Sequence, residues 1–551
     1  MKKITMNNIG YTENGATTYL TSGSELIDQF GHVGTAMGRP IQVVWEEQSK
    51  LWRENPEMAL RFPFYLRLVT RKVKVSENSR TETVQKGAGL RDEALKRILW
   101  IAVNYPEVFE KNAWLLPVVG SWKDFWSLMV LADENNLVEE PSHVFLYSIM
   151  AAALDDSTQC DLVRKYMPSI RSTAKCKTKR AIALNTYAKE FANFLGLTAK
   201  EYRKMKASGT AHDFQKLICS RSYADIDWNN IPGKALTNLI SGKFLENHGL
   251  AKSYMEWIES QPTVKFTGYA FELGKKLDNI LGNNDRPKRK TLTVSDQATI
   301  YTINKQFDGL VELAKKDAGG LKGNVLCALD TSGSMNGLVN ENVNLTSYDV
   351  CVSLGIYFAA LNEGFYHDKV VMFDNNSRIL KLSGTFAEKW AAIRDTTTAW
   401  GSTNFQSVIN LLVAERLAHP TIPENEFPQT LLVVSDMQFN PSGGYSWNYR
   451  YNEPEEKTNM ETALAKLRTV FSEEFVSNFK FVWWFCASRA GAGHDVPATM
   501  DQPGNYLFSG FDGSVVTLLL SGEENKPEAQ PLTMEEMVVK ALSQEIFSFV
   551  R

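Results

Sequence analysis

No CxxC pair occurs in the chain, and its six cysteines (Cys160, Cys176, Cys219, Cys327, Cys351 and Cys486) are scattered. That argues against a cysteine zinc site and against a disulfide framework, and it fits a reducing compartment. Histidine is scarce, with seven residues in 551. No HExxH, Walker A or convincing GxSxG motif is present, so the usual zinc-peptidase, P-loop and serine-hydrolase chemistries lack their residues. No apolar run approaches the ~18 residues of a membrane span. The opening "MKKITMNNIGYTENG" has two lysines but no apolar stretch behind them, so it does not read as a secretory signal. The formal net charge of -3 supplies no global field for nucleic acid. Binding to RNA or DNA would need a local basic patch. These absences together predict a soluble, cytoplasmic protein.

What is present falls into two rhythms. From about residue 20 to 280 the periodicity is helical. In "SWKDFWSLMVLADEN", Trp122, Phe125, Trp126 and Met129 recur at helical spacing. "RDEALKRILWIAVNYPE" places Ala94, Leu95, Ile98, Ile101 and Ala102 on one face and ends at Pro106. "AIALNTYAKEFANFLGL" does the same with Leu184, Tyr187, Phe191, Phe194 and Leu195, with Gly196 as a stop. Convincing strand alternation is absent here, so the expectation is many antiparallel helices, stacked as a solenoid. Residues 282–295, "GNNDRPKRKTLTVS", read as a linker, and one more helix follows to about 317.

Beyond Gly320 short apolar runs alternate with helical segments. The predicted strands are 324–329, 369–373, 430–435 and 479–485, with a fifth near 505–508. Continuous apolar runs of this length are expected of parallel strands covered on both faces. The reading is therefore multidomain: an all-α region over 1–281, a linker and connecting helix over 282–319, and a doubly wound α/β domain over 320–551.

One stretch carries chemistry. In "NVLCALDTSGSMNG" an apolar strand ends on Asp330, and Ser332 and Ser334 follow at alternate positions. Ligands of such sheets bind beyond the carboxyl ends of the strands. A carboxylate with two hydroxyls is a hard oxygen set, suited to Mg²⁺, Mn²⁺ or Ca²⁺ rather than zinc. Two later segments can add oxygen: Thr403 in "AWGSTNFQS", just before a helix, and Asp436 in "LLVVSDMQF", at the end of another apolar strand. The competing account is that Asp330 and the serines merely cap the next helix.

This pattern resembles the von Willebrand factor type A domain with its metal-ion-dependent adhesion site. The resemblance implies a divalent cation, Mg²⁺ before Mn²⁺ or Ca²⁺, on Asp330, Ser332 and Ser334. Thr403 and Asp436 would complete the shell directly or through water, and an acidic group from a partner protein would fill the open position. Many such domains carry a glycine after the last aspartate, where this chain has Met437.

A long helical region joined to such a domain resembles the Ro autoantigen family of TROVE RNA-binding proteins. It is more similar to a little-characterised relative found in phages, bacteria and plants. "YTENGATTYLTSGSELIDQF" looks like the start of phage members, and "GSWKDFW" resembles a GxWKD segment of both families. "EYRKM" and "DFQKLICSRSYADIDWNNIPGKAL" resemble the relative. The resemblance implies a HEAT-like ring, sufficient as a monomer, that binds small structured RNAs outside and single-stranded ends within.

A basic surface would then be needed. Residues 163–206 hold Arg164, Lys165, Arg171, Lys175, Lys177, Lys179, Arg180, Lys189, Lys200, Arg203, Lys204 and Lys206 against Glu190 and Glu201, with Tyr166 and Tyr202 able to stack on bases. Arg67, Arg71, Lys72 and Lys74 form a second cluster, leading into "QKGAGLRDE", where backbone N–H groups at a helix start could meet a phosphate. Charge runs of this kind are more often plain solvated faces.

The expected function is a non-enzymatic RNA-binding scaffold with a cation-dependent partner site. The alternative is a metal-dependent protein adhesion module without RNA. An aspartyl-phosphate enzyme ranks below both, because such a site needs a second acid two residues after the nucleophile and Ser332 stands there.

Overall fold

The structure, a computed structural model, describes residues 9–35, 38–73, 83–137, 141–209, 213–282, 291–318, 325–340, 343–373, 376–397, 403–442, 458–486, 498–510 and 531–550. The strands, in chain order, are β1 (Ile9–Tyr11), β2 (Thr17–Tyr19), β3 (Val69–Val73), β4 (Thr83–Ala88), β5 (Val325–Asp330), β6 (Leu338–Asn340), β7 (Val343–Thr346), β8 (Lys369–Phe373), β9 (Arg378–Lys381), β10 (Thr430–Ser435), β11 (Lys480–Phe485) and β12 (Asn505–Ser509). Six of them form one sheet in the order β12-β11-β10-β5-β8-β9.

Numbered within the sheet alone, that is the doubly wound order 3-2-1-4-5-6, whose direction reverses between the first and fourth strands. Here the switch point lies between β5 and β10. Five strands are parallel, and β9 closes one edge antiparallel to β8, with Val370 opposite Leu380 and Val371 opposite Ile379. The sheet is thus mixed rather than wholly parallel. Every residue of β5 and β10 is buried, as strands covered on both faces must be.

The helix Ser347–Leu361 is buried along nearly its whole length and lies against β5. The helices Phe386–Thr396 and Phe405–Ala418 follow it in the chain.

By contacts the chain divides into two compact units, Met1–Met37 with Asp227–Lys540, and Gly38–Ile226 with Ala541–Arg551. This differs from the division expected at 281 and 319. The sheet unit recruits the helices Gly233–Ile240, Ala251–Ser260 and Ala270–Leu281, which gather around the long helix Val294–Ala318. Phe307 of that helix stacks on Phe386 at 4.1 Å, and Asn304 accepts a hydrogen bond from the Ala387 amide. Lys275 pairs with Asp349 at 3.0 Å.

The sheet unit also takes the first described segment. Helix Glu25–His32 lies against β12, and the Gly34 amide donates to Ser509 Oγ at 2.9 Å. A Cβ at Gly34 would stand 2.1 Å from the Ser509 carbonyl oxygen, so only glycine allows this backbone approach.

The helical unit is built from helices between Ile41 and Ser220. Trp122, Phe125, Trp126 and Met129 are buried as their spacing predicts, whereas Phe194 is exposed. The unit also contains an unexpected antiparallel hairpin, β3 with β4. The last residues of the chain tie it down. Gln544 exchanges two hydrogen bonds with the Lys86 backbone, and Phe547 meets Tyr65 edge-on. The helix Met534–Leu542 is followed by a 3₁₀ turn, Glu545–Phe549.

Candidate metal centre

Asp330 ends β5 and is fully buried. Its Oδ1 accepts from the Ser332 amide at 2.9 Å and its Oδ2 accepts from Ser435 Oγ at 2.6 Å. Ser332 Oγ lies 3.0 Å from Ser334 Oγ, so the two hydroxyls do face one another. Ser332 is buried and Ser334 is exposed, which leaves the outer hydroxyl open to solvent.

Across the switch point, β10 ends on Ser435, and Asp436 follows, also buried. The Ser435 hydroxyl donates to Asp330 and accepts from the Met437 amide at 2.9 Å, so one side chain joins the two strand ends. Thr403 is buried, and its carbonyl accepts from the Asn440 amide at 2.9 Å, which ties its loop to the one after β10. The three loops named from the sequence are therefore linked: 330 to 435 by a side-chain bond, and 403 to 440 through the backbone.

The electrostatics set two buried carboxylates against each other. Burial, and then the neighbouring Asp436 carboxylate, push the Asp330 carboxyl up to about 7 from its usual 3.8, against the hydrogen bonds that lower it. No lysine, arginine or histidine among the described residues pairs with Asp330. Beneath it, Cys351 Sγ donates to the Asp330 and Val434 carbonyls at 3.4 and 3.5 Å, and burial holds the thiol well above its ordinary pKa. Among the described residues no group of three or more His, Cys, Asp or Glu side chains is placed to hold a metal. The donor set here is two carboxylates and hydroxyls, which suits a hard dication and not zinc.

Met437 stands at the position where the sequence resemblance implied a glycine. Its φ is +64°, in the left-handed region that disfavours residues with a Cβ, and its side chain is fully buried. The turn therefore has the geometry that favours glycine, and the strain is held by a packed methionine.

Sequence reasoning missed two sets of supports. Ser435 was legible as the one hydroxyl ending an otherwise apolar strand. The other set had no local signal. In the turn between β1 and β2, Thr12 Oγ1 donates to the Phe439 carbonyl at 2.7 Å, the Glu13 amide donates to Gln438 Oε1 at 2.6 Å, and Asn14 Nδ2 donates to the Gln438 carbonyl at 2.5 Å. The start of the chain is thus fastened onto the loop that carries Asp436.

The expected RNA-facing residues divide. Arg171, Lys175, Lys177, Lys179, Arg180, Arg203 and Lys204 are exposed. The two acids of that stretch have local duties: Glu190 accepts from the Tyr147 hydroxyl, and Glu201 caps the helix Ala199–Ala207 through Thr198. Arg71 and Lys72 lie in β3, but their side chains, and all of Lys74, fall outside the described residues.

Two expectations need correction. Tyr202 is fully buried with its hydroxyl on the Pro168 carbonyl, so it is core and not a stacking platform. Tyr166 is half-buried, with Lys165 Nζ 5.6 Å from its ring centroid. In "QKGAGLRDE" the amides of Lys86, Gly89 and Leu90 are spent on Gln544, Leu68 and Leu66, so these three are not open to a phosphate. The aromatic-rich segment 442–459, which follows β10 in the chain, lies almost wholly outside the described residues.

Comparison with known proteins is sparse. Residues 324–546 match a family model described as a domain of unknown function, DUF7788. An uncharacterized protein, L728, of Acanthamoeba polyphaga mimivirus is 24% identical over 563 residues, covering 97% of this chain and 88% of that protein. Among solved structures, the RO (RSR) protein of Deinococcus radiodurans is similar with a TM-score of 0.46 and 15% identity, over 90% of this chain and 98% of that one.

Proposed function

We propose that the protein is a non-enzymatic binding scaffold. Its sheet unit holds a divalent cation at the rim and captures an acidic group of a protein partner there. Its helical unit binds structured or single-stranded RNA along the exposed basic face. The observation that carries the reading is the convergence at the switch point: Asp330, Ser332, Ser334 and Asp436 meet where doubly wound sheets bind ligands. Thr403 stands on a loop tied to the same rim.

These five residues would hold the cation, Mg²⁺ before Mn²⁺ or Ca²⁺. Bound there, it supplies attraction for an anionic oxygen. The protein's own part is to keep two carboxylates dry and adjacent, and to leave Ser334 at the open side. Catalysis by Asp330 as a phosphoryl acceptor is disfavoured, since no second acid stands at 332, where Ser332 is found.

For RNA the support is the row of exposed lysines and arginines whose two acidic neighbours are occupied elsewhere, together with the sequence segments that resemble Ro-type proteins. Filter binding of a structured RNA across a salt series tests it. Affinity should fall steeply with salt, because phosphate contacts release counterions; absence of salt-sensitive binding would end the RNA part. The net charge of -3 favours a second reading, cation-dependent adhesion without RNA. A partner pulldown lost on Asp330→Ala but indifferent to charge reversal at Lys177, Lys179 and Arg180 would select it.

A further inference from the structure

Two clusters of buried charge stand in the helical unit, and they differ in balance. In the first, Arg39 and Arg97 share Glu47 and Glu93 at 2.6 to 3.0 Å. Two guanidiniums meet two carboxylates, so the charges balance. In the second, a single buried carboxylate, Asp124, serves more than one guanidinium. Arg67 donates to its Oδ2 through Nε at 2.8 Å and Nη2 at 2.7 Å. Arg91 donates through Nε to Oδ1 at 2.6 Å, and the Ser121 amide adds a bond to Oδ2 at 2.8 Å. Arg91 Nη2 then reaches Ser127 Oγ at 2.7 Å, and Arg180 Nη2 reaches the same oxygen at 3.3 Å.

Three guanidiniums therefore gather around one carboxylate and one hydroxyl. Lys123 begins the helix Lys123–Glu134 that carries both, and that helix start adds partial positive charge. Gly120 is what lets the cluster close: a Cβ there would stand 2.2 Å from Asp124 Oδ2 and 2.7 Å from Arg67 Nε. The surplus charge is on the open side. Arg180 is exposed and meets no carboxylate among the described residues, and the Arg91 side chain is 34% exposed.

We propose that this cluster is a phosphate-binding site and that its ligand is a backbone phosphodiester of RNA. The inference rests on the RNA reading above and assigns that reading a docking point. Asp124 and Ser127 hold Arg91 and Arg180 side by side before any ligand arrives, so the ordering of two long side chains is already met. Arg91 spends Nε and Nη2 on Asp124, Ser127 and the Lys123 carbonyl, which leaves Nη1 to donate, whereas Arg180 spends only Nη2 on Ser127 and keeps the rest of its planar fork for phosphate oxygens. Lys177 and Lys179, exposed beside Arg180 in the chain, continue the positive track along the backbone of the nucleic acid.

The test is filter binding of a single-stranded RNA oligonucleotide by the full-length protein across a salt series. The variants are Arg180→Glu, Arg91→Lys and, as a charge control in the other unit, the exposed Lys252→Glu. Arg180→Glu should weaken binding roughly tenfold at moderate salt. It should also flatten the slope of log K against log salt by about 0.7 for each phosphate it no longer neutralises. Arg91→Lys keeps the charge but loses the fork, and should weaken binding while leaving the slope nearly unchanged. Lys252→Glu should bind as the unaltered protein does. If the unaltered protein binds RNA and neither arginine variant differs from it, the cluster is only a structural tie; this inference fails and the RNA reading stands. If the unaltered protein shows no salt-sensitive binding, both fall together.

Discussion

Replacing Asp330 by asparagine should stabilise the cation-free protein. The side chain is isosteric: its oxygen can still accept from the Ser332 amide, and its new N–H₂ can face Ser435 Oγ. What disappears is a buried negative charge beside Asp436. A carboxyl raised from 3.8 to about 7 disfavours its ionised form by on the order of 4 kcal/mol. The folded state therefore holds this proton more tightly than the unfolded state does. The stability it contributes is full below about pH 4 and is lost as pH rises through about 7.

Asp330→Asn lacks that dependence. With chelator present, the two proteins should have similar unfolding midpoints near pH 4.5. At pH 8 the variant should be ahead by on the order of 4 kcal/mol, roughly 5 °C for a unit of roughly 350 residues. Adding Mg²⁺ or Mn²⁺ at pH 8 should raise the midpoint of the unaltered protein and leave the variant where it was. Thermal melts at both pH values, with and without metal, measure all of this. A variant less stable than its parent at pH 8 in chelator would refute the electrostatic argument.

Other substitutions probe the supports. Met437→Gly relieves about 1 kcal/mol of left-handed strain but empties a buried side-chain volume, so chemical denaturation should show a net loss of about 1–3 kcal/mol. Its dication affinity by titration calorimetry should stay close to that of the parent. Thr12→Ala leaves the Phe439 carbonyl without its donor and should cost about 1–3 kcal/mol. The same change should weaken dication binding several-fold, because the loop carrying Asp436 loses its clamp. Arg97→Met leaves Glu93 and Glu47 with one guanidinium fewer in a buried network and should cost about 3–5 kcal/mol in urea unfolding, without touching dication affinity.

The strands that frame the rim were legible because parallel strands covered on both faces must be apolar throughout. The runs expected at 369–373 and 430–435 coincide with β8 and β10, and the one expected at 324–329 is shifted by a single residue in β5. The edge strand β9, "RILK", is half-buried and charged at both ends, so it has no such run. The hairpins were hidden for related reasons: β1 and β2 are three residues each, and β4 carries lysine and glycine.

Asp330, Ser332 and Ser334 were visible as a spacing, and Asp436 as an acid closing an apolar run. The clamp of Thr12 on Phe439 joins residues 427 positions apart, and no periodicity encodes such a pairing. Nor does composition separate a buried tyrosine such as Tyr202 from an exposed one within the same basic helix.

The most direct measurement is anomalous diffraction from crystals of the protein grown with Mn²⁺. A single strong peak bounded by Asp330, Ser332, Ser334, Thr403 and Asp436, and missing in crystals of Asp330→Ala, is the predicted result. No peak at that rim at millimolar Mn²⁺, with the loops ordered, would contradict it.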